Sequence, residues 1–239
     1  MSISADLFAL SQDDTGRSRM HPIELGCAIA AAELVDLAML GRIVINADAV
    51  IVRNTDPVEE PMLDARLAWI NDQSRLGPTT VVGAVAFELI GAYDSAWDDP
   101  ETTFADRTTE RGGREAVLEE IVQAVSTESE ALADEVLLAF TDIARLSDHL
   151  VGGLKHRRLR KQMQAWAAEC RRRWTTSPAS QAAAADEELN ALRSSVRNAV
   201  TTAARCAADP GRFKGPSALG AAWSPDPRGG LPIGIKTFD

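Results

Sequence analysis

The hydrophobic and polar positions of the chain repeat with the period of an α-helix over most of its length. Apolar side chains recur three and four residues apart in 62–70, 115–150, 154–174 and 181–208, as on the buried face of a helix. The segment 23–40 is apolar on nearly every side, which is typical of a helix at the centre of a fold. The pattern therefore predicts a mainly α-helical protein built around one central helix.

One early segment breaks the helical pattern. Gly41 is a favourable residue to end the central helix, and two β-branched runs follow it, RIVIN and AVIVR, with a short turn between them. Because a crossover helix cannot fit between runs so close together, they are predicted to form an antiparallel hairpin over 42–53. We expect this hairpin to supply a packed face made of Val44, Ile45, Val50 and Ile51.

Other segments differ in composition from the helical stretches. Residues 94–114 are acidic and follow no period, and residues 210–239 are rich in Pro and Gly. We therefore predict a single helical domain over 1–209, with an acidic insertion at 94–114 and an irregular tail at 210–239. The insertion is the segment that we expect a protease to cut first. A helix break is expected near Ser126-Thr127, within the stretch 115–150.

Composition and charge limit the class of protein further. The chain has 239 residues, of which 45% are hydrophobic and 25% charged, so it can bury a substantial core. Its formal net charge of −10 argues against non-specific binding of polyanionic nucleic acid. Residues 23–40 include three carboxylates, whose cost inside a bilayer excludes a membrane-spanning helix there. The start of the chain lacks the basic segment of a secretory signal, so we expect a cytoplasmic protein.

The three cysteines, Cys27, Cys170 and Cys206, are far apart in the sequence, and no CxxC pair occurs. This spacing implies neither a disulfide framework nor a zinc site. We expect the cysteines to be small buried side chains in a reducing compartment, and we expect no cofactor.

Three motifs follow one another in the first third of the chain. They are LFALSQDDTGR at 7–17, ELVDLAMLGRIVI at 33–45 and DPVEEPMLDARL at 56–67. In this order they resemble the Golgi phosphoprotein three family, whose members share a leucine-rich start, a helix end of the ELALRGRI type and a DPLLDEAL-like helix after a hairpin. The resemblance covers residues 6–90. The family positions are held by Glu33 or Asp36 and by Leu37, Gly41, Arg42, Ile43, Leu63 and Asp64.

The resemblance implies a helical core surrounded by amphipathic helices, in a bacterial-type member. It also implies a role at membranes, since eukaryotic members bind phosphatidylinositol 4-phosphate on Golgi membranes and link glycosyltransferases to the vesicle coat. The family's headgroup pocket is changed in this chain: His21 and Ala30 stand where it has a tryptophan and an arginine. The acidic insertion replaces the region of the other pocket arginines. Phosphoinositide binding is therefore implied by the family and not by residues of this chain.

The turn before the central helix is a first candidate site. Arg17, Arg19 and His21 precede Pro22, a residue that is favourable in the first turn of a helix. Helix amino termini carry about half a positive charge and free N–H groups, and arginine side chains bind phosphate in a bidentate manner. This arrangement is typical of a site for an anionic headgroup. The alternative is a solvated turn whose arginines contact nothing.

The first part of the segment 154–174 is a second candidate site. It carries the basic residues Lys155, Arg157, Arg158, Arg160 and Lys161. Its apolar stripe faces the other way and consists of Leu159, Met163, Trp166, Cys170 and Trp174. Each basic residue near an anionic bilayer contributes about 1 kcal/mol, so the run is interpreted as a membrane-facing basic helix. The alternative is charge complementarity within the protein, because the preceding segment 94–142 is rich in acids.

Enzymatic and DNA-binding functions find less support in the sequence. Asp98, Asp99 and Glu101 resemble the acidic motif of magnesium-dependent prenyl-diphosphate enzymes, but no second carboxylate cluster matches them. The three histidines stand in no catalytic motif. The helix before the hairpin carries three carboxylates and no arginine that could read a base edge. We expect no metal site, no catalytic residues and no nucleic-acid partner.

Together these observations predict a non-enzymatic cytoplasmic protein that binds the surface of an anionic membrane or a phosphorylated lipid headgroup. As an adaptor it would also hold a protein cargo, and the sequence leaves self-association open. A protein-binding scaffold without lipid affinity is the alternative function, and a magnesium-dependent prenyl-diphosphate enzyme is a remote alternative.

Overall fold

The computed structural model describes residues 2–12, 22–85, 113–146, 150, 157–176 and 187–209. Helices dominate this part of the chain, which confirms the mainly α prediction. The helices are α1 (Ile3–Ser11), α2 (Pro22–Met39), α3 (Pro61–Leu76), α4 (Gly113–Thr127), α5 (Leu132–Ile143), α6 (Arg157–Thr176) and α7 (Glu187–Ala208). The strands are β1 (Ile43–Asn46), β2 (Ala49–Val52) and β3 (Thr79–Thr80), which form one antiparallel sheet in the order β1-β2-β3.

The central helix predicted from the apolar pattern is α2. Its residues 25–38 are all buried, and α1, α3, α5 and α7 pack around it. Alanines supply much of the buried surface of α2 and of α7, so these two helices can approach each other closely. The acidic insertion, apart from its last two residues, and the tail 210–239 lie outside the described residues, and the domain boundaries stay a prediction.

The central helix ends at a residue in the left-handed conformation. Gly41 has a φ of +68°, and its N–H donates to the carbonyl of Ala38 at 3.0 Å. The N–H of Arg42 donates to the carbonyl of Leu37 at 2.9 Å. These two hydrogen bonds form a Schellman motif, in which glycine is favoured because it has no Cβ. The motif turns the chain directly from the central helix into β1.

The hairpin predicted over 42–53 is present, with Ala47 and Asp48 as its two-residue turn. Ala47 has a φ of +52°, whereas Asp48 keeps a negative φ. A single positive φ at the first turn residue is the signature of a type II′ turn, whose twist matches that of the flanking strands.

The prediction of the packed face of the hairpin is wrong for two residues, Val44 and Ile51. Ile43, Ile45 and Val50 are buried on the core side. Val44 pairs with Ile51 on the opposite face, where Ile51 is 41% exposed. Because successive side chains of a strand point to opposite faces, Val44 cannot share a face with its neighbour Ile45.

The outer edge of β1 is covered by side chains of α7. The N–H of Ile45 donates to the Oγ of Ser195 at 2.8 Å, and its carbonyl accepts from Nδ2 of Asn198 at 3.3 Å. Ser195 is buried, and its Oγ also donates to the carbonyl of Ala191 at 2.9 Å. These bonds satisfy the backbone groups that an edge strand would otherwise expose.

β3 lies on the other side of β2. It has only two residues, too few to show a period of their own, so no sequence pattern predicts it. At one end of the pairing between β2 and β3, Val50 lies opposite Thr79. Beyond the other end, the N–H of Val81 donates to the carbonyl of Asp48 at 2.9 Å.

A buried carboxylate of α2 caps the first helix. Asp36 accepts hydrogen bonds from the N–H groups of Ile3 and Ser4 at 2.8 and 3.0 Å, and from the hydroxyls of Ser4 and Ser2 at 2.7 and 3.1 Å. The first N–H groups of a helix have no partner within it and lie at the positive end of its dipole. Desolvation by burial raises the pKa of Asp36, while these hydrogen bonds act in the opposite direction.

A second buried charge of α2 joins it to α3. The Nε and Nη2 of Arg66 lie 2.9 and 2.8 Å from Oε2 of Glu33, and both side chains are almost fully buried. Arg66 also donates from Nη1 to the carbonyl of Ala84 at 3.3 Å. The pair therefore links the central helix, α3 and the helical turn that follows β3.

The stretch predicted as helical over 115–150 contains the expected break, because α4 ends at Thr127 and α5 starts at Leu132. The second part is shorter than predicted. α5 ends at Ile143, since Arg145 adopts a φ of +54° and the N–H of Leu146 donates to the carbonyl of Thr141 at 2.9 Å. A non-glycine residue in this conformation gives no sequence signal for a helix end.

Candidate functional site

α6 separates basic from apolar side chains around its axis. An α-helix has about 3.6 residues per turn, so each residue is rotated by about 100° from the one before. On this geometry the predicted apolar stripe falls within one sector, and its members Met163, Cys170 and Trp174 are buried. Arg157 and Lys161 lie opposite the stripe, and Arg158 and Arg160 lie on its two flanks; we name these four residues the α6 basic cluster.

The carboxyl-terminal half of α6 is neutralised by α5. Arg171 forms an ion pair with Asp142, and Nη1 of Arg173 lies 2.8 Å from Oε1 of Glu135. The guanidinium of Arg173 also lies over the ring of Trp166, 4.9 Å from its centroid, which is a cation–π contact. Charge complementarity with a preceding acidic helix, the alternative to membrane binding, therefore accounts for this half of α6.

Glu169 completes the neutralisation from within α6. It lies 2.6 Å from Nη2 of Arg172 and 3.2 Å from Nε of Arg173, one helical turn further on. The hydrogen bond from Arg172 is the main reason why the pKa of Glu169 is lowered. Next to it, desolvation raises the pKa of Cys170 to about 12, so its thiol is un-ionised at neutral pH and is a packing group.

The amino-terminal half of α6 is different. Arg157, Arg158 and Lys161 are exposed, and Arg160 is half-buried. Within the described part of the chain these four side chains form no hydrogen bond or ion pair. No acidic residue occurs in α6 before Glu169, so the cluster adds four positive charges to one end of the helix without a counter-charge from within the helix.

The first predicted site falls outside the described residues. Arg17, Arg19 and His21 lie between α1 and α2, and Lys155 lies before α6, in stretches that the structure does not describe. The helix that follows this turn, α2, begins at Pro22, as the sequence predicts.

The family-type residues around the hairpin have structural roles. Gly41 ends the central helix, and Nη2 of Arg42 donates to the carbonyl of Pro57 at 3.3 Å across the base of the hairpin. Oδ1 of Asp64 accepts from the N–H of Val58 at 2.7 Å, which fixes the entry of the chain into α3. These contacts hold the helix–hairpin–helix unit together.

The position of the missing pocket arginine is buried. Ala30 is fully buried in the middle of α2, where a methyl group packs in the core. Ala30, which the resemblance aligns with that arginine, therefore supplies a buried methyl group and no cation.

An open groove lies beside β2. It has a volume of about 700 Å³ and is bordered by β2, by the residues up to Thr55 and by the carboxyl-terminal end of α3. Asn71 and Ser74 of α3 form one wall, and Gly77 and Pro78 form its end. No sequence pattern predicts the groove, because residues far apart in the chain line it.

Metal-dependent chemistry finds no site in the part of the chain that is described. Its His, Cys, Asp and Glu side chains form no group that could hold a metal ion. Asp98, Asp99 and Glu101 lie outside these residues, and so do all three histidines.

The fold and surface define a class of protein, a helical domain with a small sheet and a one-sided basic helix. Among the described helices, none is both long and apolar enough to cross a membrane. The sequence model of the Golgi phosphoprotein 3 (GPP34) family matches residues 3–187. The chain belongs to this family, as its motifs around the hairpin indicate. A search of curated proteins finds no match to the chain.

Proposed function

We propose that the protein binds the surface of an anionic membrane from one side, with the α6 basic cluster as its main contact. The observation that supports this proposal is the contrast within one helix. Arg171, Arg172 and Arg173 are each paired with an acid, whereas the four basic residues of the cluster are not paired within the described residues. Membership of the Golgi phosphoprotein 3 family is consistent with lipid binding.

The expected strength of this contact is modest. Each Lys or Arg near an anionic surface contributes about 1 kcal/mol, so the four residues together supply about 4 kcal/mol, or a factor on the order of 10³ in the binding constant. Stable attachment takes a second signal. Arg17, Arg19 and His21, before α2, and Lys155, before α6, are the residues that we propose for this second contact.

The proposal carries an expectation about lipid selectivity. Phosphoinositides are distinguished by bidentate contacts in a built pocket, and such contacts depend on fixed arginine geometry. Ala30 is buried at the position of one family arginine. We therefore expect the protein to respond to the density of negative charge and to select poorly among phosphorylated headgroups.

Co-sedimentation with liposomes tests the proposal. Vesicles of phosphatidylcholine alone should leave the protein in the supernatant, and vesicles with added phosphatidylserine should pellet it. Binding should fade between 0.1 M and 1 M salt, because the Debye length falls from about 10 Å to about 3 Å. The absence of binding to any anionic vesicle at 0.1 M salt would refute the proposal.

A protein-binding scaffold is the second candidate function. The buried Ala30 favours it, since this replacement removes a pocket cation without creating an apolar lipid site. In this function the protein is an adaptor that holds a protein cargo and has no lipid affinity. Neither candidate involves catalysis, a cofactor or nucleic acid.

A further inference from the structure

The two edges of the hairpin differ in how far their backbone groups are covered. The outer edge of β1 is satisfied by Ser195 and Asn198, which bind both backbone groups of Ile45. On the other side β3 covers β2 only as far as Val50. An uncovered strand edge is a template for another strand, and proteins usually cover it.

Val52 is the residue at which the second edge opens. The paired bonds of an antiparallel hairpin alternate along it. The N–H and carbonyl of Ile45 bond to side chains of α7 and not to β2. Ile43, two residues away, points its N–H and carbonyl in the same direction. Their partners on β2, Val50 and Val52, likewise point these groups away from β1. The N–H and carbonyl of Val50 meet Thr79 of β3. The N–H and carbonyl of Val52 point to the same side of β2 as those of Val50, and no described residue forms a hydrogen bond with them there.

The space next to this edge of Val52 is the open groove beside β2. The chain from Ile51 to Thr55, which borders it, covers four residue steps and spans at most about 13 Å at the rise of a strand. Its volume of about 700 Å³ lies in the range of binding sites for small ligands and short peptides. Ile51 in its wall is 41% exposed, and Leu76, next to Gly77 at its end, is 74% exposed. The groove thus offers two backbone hydrogen bonds and uncovered apolar surface to an extended segment.

The chain itself contains a segment of suitable chemistry. In the sequence LPIGIKT at 231–237, apolar or β-branched residues alternate with Pro, Gly and Lys. Alternation with a period of two is the pattern of a strand with one packed face. The proline at 232 is tolerated in an edge strand, because one side of such a strand needs no N–H donor.

We propose that residues 231–237 bind in this groove of their own chain as an edge strand against Val52. Such strand addition uses backbone hydrogen bonds for affinity and alternate side chains for fit. This inference concerns a surface other than the α6 basic cluster, and it does not depend on membrane binding.

The tether makes the contact feasible. Ser195 lies at the sheet, and the thirteen residues from there to the end of α7 at Ala208 span about 20 Å. The residues between Asp209 and the segment number 21, and a chain of 21 residues can span at most about 70 Å. The linker is therefore long enough to reach the groove beyond β2, and an effective concentration on the order of millimolar is expected for such a tether. A weak pairing suffices under these conditions.

Amide hydrogen exchange of Val52, measured by NMR on the full chain and on a chain ending at Gly230, tests the inference. We expect Val52 to exchange about tenfold more slowly in the full chain, as for a segment with a dissociation constant of about 0.1 mM at millimolar effective concentration. The amide of Ile45 serves as the control, because its bond to Ser195 is independent of the tail. Addition of a synthetic peptide of residues 231–239 to the shortened chain should restore the protection.

Two matched double variants locate the contact. Ile233→Ser with Ile235→Ser should abolish the protection of Val52, because it removes the packed face of the segment. Gly234→Ser with Lys236→Ser changes the other face and should leave most of the protection. Equal exchange in the full and shortened chains would overturn the inference. Protection that disappears on dilution would also contradict it, because the segment would then bind a second copy.

Discussion

Asp36, in the central helix, accepts a 2.8 Å hydrogen bond from the backbone N–H of Ile3, the first residue of α1. The two residues are 33 positions apart, and the contact places a carboxylate from one helix at the amino terminus of another. It anchors α1, all of whose residues are buried, against the core. The relationship explains why an acidic residue occupies a core position of the most apolar helix.

Asp36→Asn should destabilise the protein by about 2–3 kcal/mol. The amide keeps the size of the side chain, but its NH₂ group would face donors that need an acceptor, and buried donors without partners cost about 1–3 kcal/mol each. Urea unfolding followed by circular dichroism measures the change. The exposed Asp72→Asn serves as the control and should cost less than about 0.5 kcal/mol. A change at Asp36 no larger than that of the control would contradict the capping role.

The effect of Asp36 should also depend on pH. Because burial raises its pKa, the folded protein binds a proton more readily than the unfolded chain, in which the pKa is about 3.9. The stability that this linkage supplies is fully present below about pH 4 and is lost as the pH rises through the folded-state pKa. The difference in free energy of unfolding between wild type and Asp36→Asn should therefore be smaller at pH 7 than at pH 4. A difference that grows with pH would show that the hydrogen bonds outweigh desolvation.

Ser195→Ala should destabilise the sheet edge by about 1–3 kcal/mol, because it leaves the N–H of Ile45 buried without an acceptor. Hydrogen exchange of the Ile45 amide should become faster to a corresponding degree. The neighbouring Ser194 is exposed, so Ser194→Ala should leave both the unfolding free energy and this exchange rate unchanged. Unaltered exchange at Ile45 in the Ser195 variant would mean that α7 does not protect this edge.

Ala47→Gly should stabilise the hairpin by about 0.5–1 kcal/mol. A side chain at a φ of +52° costs about 1–2 kcal/mol, and the greater flexibility of glycine in the unfolded chain offsets part of the gain. Asp48→Gly should be neutral or destabilising, since Asp48 keeps a negative φ. Thermal unfolding of both variants measures the effect, and a loss of stability in Ala47→Gly would contradict the assigned turn.

The two faces of the hairpin should differ in their response to polarity. Ile45→Thr places a hydroxyl in the core and should cost about 2–3 kcal/mol, whereas Ile51→Thr, on the outer face, should cost less than about 1 kcal/mol. Both variants keep a β-branched residue, so strand propensity is matched. Similar losses of unfolding free energy in urea for the two variants would contradict this assignment and place Ile51 on the packed face.

Local patterns predict much of this fold, and contacts between distant residues account for what they miss. Gly41 and the β-branched runs after it lie within a few residues of one another, so the turn into the hairpin can be predicted. The bond between Ser195 and Ile45 spans 150 residues, and no local pattern encodes it. The end of α5 at a left-handed Arg145 is likewise set by its surroundings, because arginine has no preference for that conformation.

At the candidate site, too, local patterns predict one part of the arrangement and contacts between distant residues determine the rest. The sequence predicts the basic and apolar sides of α6, because helical periodicity alone separates them. It cannot tell which arginines are paired, since the acids that neutralise Arg171 and Arg173 belong to α5. Among the residues that it describes, the structure divides one basic run into a paired half and a half without partners.

Charge reversal in the unpaired half tests membrane binding most directly. Arg158→Glu with Lys161→Glu should weaken co-sedimentation with phosphatidylserine vesicles at 0.1 M salt by at least about tenfold, because attraction of about 1 kcal/mol per residue is replaced by repulsion. Arg193→Glu with Arg205→Glu changes the net charge by the same amount at exposed positions of α7 and should weaken binding by less than about threefold. Equal effects of the two double variants would contradict a binding surface on α6 and indicate that net charge alone governs the association.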